Sequence, residues 1–305
     1  MAIQKEIWLQ SIEDNLYKGL EAIIAVSRDD SAFVYNKTIH IPSSGTAPTI
    51  SKGNAVYPAS ISERTDQEVT YNLTNYEIGP LRLGWVDQLQ LSYDKTSSIA
   101  NDFMGNLSDR MAKEFMAAWY YKATASMVST SGTATTFNWL GGASTGALKH
   151  LTGANVREAA MILDKQIIPS GDRYLLLDPD MFWQLMADLD YQAARLGVFA
   201  GLPTAPGPVY GFTVIQMPYV AAVNNTNDII LPNALNGSFT YAANDRPIGL
   251  AVHKSALSMA ITPVEGFVSD KDPSYFGDIL SASIYGGAKY RRYDGKGVVS
   301  IKGVA

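Results

Sequence analysis

Residues 33–41 read FVYNKTIHI, and residues 67–78 read QEVTYNLTNYEI. Each run alternates as a β-strand does. The first puts Phe33, Tyr35, Ile39 and Ile41 on one face, and the second puts Val69, Tyr71 and Leu73 on one face. After Leu73 the apolar phase moves by one, to Tyr76 and Ile78, which predicts a bulge near Thr74 and Asn75. Between the runs, residues 42–66 are rich in Pro, Gly, Ser and Thr, with scattered apolar residues. The pair therefore reads as a long two-stranded ribbon with a loose tip. An isolated ribbon is marginal in water, because nothing covers its apolar face. It has to lie on something else. In a chain with little catalytic signal, that something is expected to be another copy of the same protein.

The 305 residues suffice for one large or two ordinary domains. A hydrophobic content of 47% and a charged content of 17% describe a folded protein and exclude a disordered one. The net charge of −5 argues against coating nucleic acid through bulk charge. The absence of Cys excludes disulfides, thiolate metal sites and Cys nucleophiles. The N-terminal residues MAIQKEIWLQ lack the apolar run of a signal peptide, and no segment approaches the ~20 apolar residues of a membrane span. The expectation is a soluble protein folded in a cytoplasm, with no membrane partner.

Ile3 to Val26 carries an amphipathic pattern and reads as an arm with helical tendency. Pro80 is expected to end the ribbon. The strongest helix spans Ser97 to Ser126, where Ile99, Phe103, Leu107, Met111, Phe115 and Trp119 recur every four residues. At about eight turns it is a beam, and its Met and aromatic stripe reads as core, not as a cofactor site. Residues 129–146 form a Ser/Thr/Gly-rich connection. Beyond it, Thr152 to Gln166 reads as a helix with Val156, Ala159, Ala160, Leu163 and Ile167 in register. Tyr174 to Leu177 is a short buried strand. Asp178 then caps a helix that opens with Pro179 and continues through Leu189. Strands are expected over 212–216, 228–231, 248–252 and 258–261. The last segment, 278–301, reads as a strand pair turning at Asp294 and Gly295.

Candidate chemistry is sparse. Residues 142–146, GASTG, match the nucleophile-elbow pattern, with His150 or His253 and Asp178 or Asp190 as formal partners for Ser144. The match lies in a stretch of Gly, Ser and Thr where it arises by composition, and it reads as a loop. His40, His150 and His253 have no second ligand at metal spacing, so no metal site and no cofactor are assigned. Asp178 and Asp180 look like a carboxylate pair, but helix capping explains both. Residues 289–293, KYRRY, mix base and aromatic residues. In a strand they split between two faces, and pairing with carboxylates of a neighbouring chain is the preferred reading over nucleic acid.

The order of elements is arm, extended ribbon, long helix, compact α/β region and closing β segment. With three local segments, RYLLLDPDMFW at 173–183, GFTVIQ at 211–216 and IGLAVHKSA at 248–256, it resembles the major capsid proteins of tailed bacteriophages. That fold is shared with encapsulin shells. The resemblance implies an α+β phage capsid-type fold. Residues 1–31 would be the N-terminal arm and 32–79 the extended β-ribbon loop. Residues 80–151 would be the peripheral domain, with a spine helix over about 97–126. Residues 152–261 would be the axial domain, and 262–305 the closing β segment of the peripheral domain. It implies intersubunit contact through Ile39, Ile41, Val69, Tyr71 and Leu73, and a spine core of Phe103, Leu107, Met111, Phe115 and Trp119. It further implies a non-enzymatic homo-oligomer of hexamers and pentamers, an icosahedral virion shell enclosing double-stranded DNA without sequence-specific binding. Scaffolding, portal or decoration proteins are implied partners. The arm begins at Met1, so the scaffolding segment that some members carry is expected to be absent. Two other readings are an encapsulin-type nanocompartment, distinguished by its cargo, and a serine hydrolase built on Ser144.

Overall fold

The computed structural model of this chain describes residues 20–45, 52–53, 61, 63–84, 95–136, 147–188, 192, 210–217, 221–231, 240–242 and 244–304. A short helix, α1 (Glu21–Val26), leads into a two-residue strand, β1 (Arg28–Asp29). The ribbon is β2 (Thr38–Ser43) antiparallel to β3 (Gln67–Asn72), and β4 (Thr74–Gly84) runs toward the long helix α2 (Lys95–Ala118). Three short strands follow, β5 (Met127–Ser129), β6 (Ala134–Thr136) and β7 (Ala147–Lys149). The α/β region comprises α3 (Gly153–Lys165), β8 (Arg173–Leu177), α4 (Pro179–Ala187), β9 (Thr213–Gln216), β10 (Ala221–Val223) and β11 (Arg246–His253). The chain closes with β12 (Leu257–Ile261), β13 (Glu265–Asp272), β14 (Gly277–Tyr290) and β15 (Val298–Lys302).

Two larger sheets organise these elements. A five-stranded sheet runs β1-β12-β14-β13, with β4 on the other edge of β14. A six-stranded sheet runs β5-β15-β11-β8-β9, with β10 also on β11. Alternation along the second sheet sorts its residues. Leu175, Leu177, Ala251, Val299 and Ile301 face α3 and α4, where Val156, Ala159, Leu163, Met181 and Leu185 cover them. Leu176, Leu250, Val252 and Val298 face the other way, into a larger core shared with α2 and with Leu257, Met259, Leu280 and Ile284 of the first sheet. Helix α2 thus serves both sheets. Gly286 lets it lie close to β14, since a Cβ there would sit 2.6 Å from Met111 Cε and 3.3 Å from Phe115 Cζ. No helix among the described residues is long and apolar enough to cross a membrane.

Local chemistry explains the helix ends in the α/β region. Thr152 caps α3 in a reciprocal box with Asn155. The Asp178 side chain accepts the Met181 N–H at 2.9 Å, and Pro179 occupies the first turn of α4.

The structure departs from the sequence expectations at several points. Ser31–Phe33 is a 3-10 turn, and Asn36 and Lys37 take positive φ in a tight turn closed between Tyr35 and Thr38. Phe33 and Tyr35 are therefore exposed and do not share the face of Ile39 and Ile41. The phase change after Leu73 marks a change of sheet, from the ribbon into β4, not a bulge within one strand. The irregularity lies farther on, where Ile78 pairs Ala282 but Leu81 pairs Leu280. That extra residue accommodates Pro80 inside β4, so Pro80 does not end the strand. Helix α2 stops at Ala118, well short of Ser126, and α4 stops at Ala187. Ile167 lies beyond the end of α3 and is exposed. Over 228–231 there is only a bridge from Ile229 to Val223. β14 and β15 belong to different sheets, so 278–301 is a crossover and not a strand pair. By the same token β12 sits in the first sheet and β15 in the second.

Candidate functional site

The ribbon base is the first place to look for a working surface. Ile39 pairs with Tyr71 and Ile41 with Val69. These four residues and Leu73 are buried in one cluster with Ala260, flanked by Val34 and Tyr285. Gly287 allows the approach, since a Cβ there would meet the Leu73 side chain at 2.9 Å and the Asn72 carbonyl at 3.1 Å. Ile39, Ile41, Val69, Tyr71 and Leu73, the residues expected to touch a neighbour, are here covered within their own chain. Their apolar face lies on the chain's own five-stranded sheet. The opposite ribbon face, with His40, Glu68, Thr70 and Asn72, is exposed. There His40 Nδ1 and Glu68 Oε1 stand 2.6 Å apart across the strands. Nearer the tip, Asp66 accepts the Gly45 N–H at 2.9 Å and pairs with Arg64, and these contacts hold its carboxyl below the ordinary value.

A buried polar junction ties the segment after α1 and the ribbon base to the five-stranded sheet. The Asp30 carboxylate bonds both the Ser258 hydroxyl and the Arg291 guanidinium. The Tyr71 hydroxyl meets Ser258 Oγ at 2.7 Å, and the Trp119 indole N–H donates to the Ser258 carbonyl at 3.0 Å. The Asp30 N–H donates to the Met259 carbonyl at 2.9 Å. Burial pushes the Tyr71 hydroxyl up to about 12, so it stays protonated and can donate. One site thus joins α1's exit, the ribbon, α2's end, β12 and the segment after β14. Sequence reasoning missed Asp30, Ser258 and Arg291, which have no spacing that links them.

Of the expected spine residues, Leu107, Met111, Phe115 and Trp119 are buried in the main core, Trp119 just past the end of α2. The side chain of Phe103 lies outside the described residues. So do the arm before residue 20, most of 46–62, and Ser144 with its GASTG motif.

The remaining chemical candidates are occupied structurally. His150 bonds Thr135, and His253 Nδ1 lies 2.7 Å from Ser255 Oγ. Asp178 is the α4 cap, and burial raises its carboxyl to about 7, while its Oδ2 is buried without a hydrogen bond. In KYRRY, Lys289 donates to the Thr70 carbonyl at 2.8 Å, Arg291 holds Asp30, and Arg292 bonds Asp294 at 3.1 Å. Within the single chain these bases already have partners of their own. Among the described residues no group of acidic or His side chains could hold a metal ion.

A family model described as phage capsid protein matches residues 87–296. No curated protein matches the sequence. Among solved structures, the chain is similar to one from Mycobacterium phage Che8 at 16% identity and a TM-score of 0.59, covering 92% of this chain and 89% of that one. It is similar to the mature capsid of bacteriophage PhiM1 at 13% identity and a TM-score of 0.60, covering 92% and 86%. It is also similar to the capsid of Ralstonia phage GP4 at 10% identity and a TM-score of 0.61, covering 92% and 86%. At such identities the likeness is one of fold, and that fold is the α+β phage capsid type.

Proposed function

This chain belongs to the phage capsid protein family and is a structural, shell-forming capsid protein, and from that premise we propose how it builds its shell. Copies close into an icosahedral head of hexamers and pentamers around double-stranded DNA, assembled in the host cytoplasm. The chain carries no catalytic activity. Scaffolding, portal or decoration proteins complete the particle. The net charge of −5 suits this role, because like charge prevents tight binding of the packaged DNA.

The observation that carries the reading is the ribbon. Its base is locked to its own sheet through Ile39, Val69 and Tyr71. The exposed face at His40, Glu68, Thr70 and Asn72, and the span 46–62, are then left to meet a neighbour. On this reading residues 1–31 are the arm and 32–79 the extended loop. The five-stranded sheet with α2 is the peripheral domain, and the six-stranded sheet with α3 and α4 is the axial domain.

The test replaces residues 46–60 with a short Gly-Ser turn. The expected subunit keeps its circular dichroism, and shells fail to form or break at lower urea. A variant that unfolds as a subunit, or assembles as robustly as the parent, overturns the reading. Particles that carry protein cargo in place of nuclease-protected DNA favour a nanocompartment.

A further inference from the structure

Helix α3 ends in a Schellman motif. The Ile167 N–H donates to the Asp164 carbonyl at 2.9 Å, and the Ile168 N–H to the Leu163 carbonyl at 3.1 Å. Such a motif needs a left-handed residue just after the cap, and glycine is its usual occupant. Here that residue is Ile167, with φ 59°. Among the described residues with positive φ it is the β-branched one, the side-chain type least tolerant of that conformation.

The strain brings the chain's own fold no packing in return. Ile167 is 90% exposed. The inward contact that accompanies this motif is made by the next residue, Ile168, which packs on the core under α3 and α4. The corner is also held rigidly. The Gln166 side chain accepts the Gly297 N–H at 2.9 Å and donates to Ser126 Oγ at 3.2 Å. A strained apolar side chain thus stands at a fixed place on the surface. Residues held in a disfavoured conformation by the structure around them cluster at functional sites.

We propose that Ile167 is an assembly contact, covered by a second copy of this chain. The occupant follows from the shell-forming reading, on which this inference rests. A shell is built from copies packed edge to edge, so part of each subunit's exposed surface is covered by another copy. Exposure in the isolated chain then becomes burial in the shell.

The test uses full-length Ile167→Gly and Ile167→Asn, since both residues accept the left-handed region. Two quantities are read: the unfolding midpoint of disassembled subunits, and the urea concentration at which half of the particles dissociate. The expected result has two parts. The subunit midpoint rises by roughly 2–4 °C for Gly, and particles of both variants dissociate at lower urea than the parent. Equal particle robustness with a more stable subunit overturns the inference and leaves the shell-forming reading standing. A less stable subunit also overturns it, because Ile167 then serves its own fold. A parent that forms no particles removes both readings together.

Discussion

The Tyr71 hydroxyl lies 2.7 Å from Ser258 Oγ across 187 positions of sequence. This contact ties the ribbon to the strand beneath it, and Ser258 passes the tie on to the Asp30 carboxylate. The ribbon base is therefore held on the subunit by a buried hydrogen-bond chain as well as by its own two strands.

Removing a link in that chain is measurable. Tyr71→Phe keeps the ring and loses one hydrogen bond, so it should cost about 1 kcal/mol in urea unfolding. Asp30→Ala should cost more, about 3 kcal/mol, because it leaves the Arg291 guanidinium half-buried without its carboxylate. Equal effects of the two changes would mean that Asp30 is not the centre of the junction.

Helix α2 has one face in the core and one in water. Phe115 is fully buried between the sheets, so Phe115→Ala should cost about 3–5 kcal/mol. Lys113 makes a helix-surface pair with Asp109, and Lys113→Ala should stay within about 0.5 kcal/mol. Matching urea midpoints for the two variants would contradict the assigned face.

Asp178 makes stability depend on pH. Its folded-state pKa is raised from 3.8 to about 7, chiefly by burial, so folding favours the neutral acid. Stability is then fullest below the ordinary carboxylate value and falls as pH rises through about 7. Asp178→Asn keeps a capping oxygen and removes the charge. It should stabilise the subunit at pH 8 by at most about 4 kcal/mol and flatten the profile between pH 4 and 8. A variant less stable than the parent at pH 8 would show that the ionised carboxylate serves the fold.

Alternation and capping were legible because they act over a few residues. The shared faces of Ile39 with Ile41 and of Val69 with Tyr71 and Leu73, the β8 and β11 core strands, and the Asp178–Pro179 start of α4 all follow from short-range pattern. The shift after Leu73 was legible as a reversal of face. Whether the strand bulges or changes sheet depends on partners far away. The turn at Asp294 and Gly295 reads alike whether its strands pair or part, and only the sheets show that they part. Strand β13 went unread because Gly266 and the charged end at 270–272 mask its alternation. The Asp30 junction was invisible for the same reason that makes it informative: its members are ordinary residues brought together by the finished fold.

Electron microscopy of the purified full-length protein, expressed with any scaffold it requires, tests the central claim most directly. The account predicts closed, uniform shells, with hexamers and pentamers resolved and the ribbon of one subunit lying across its neighbour. A monodisperse monomer under all such conditions, or shells whose ribbons lie only on their own subunits, would contradict it.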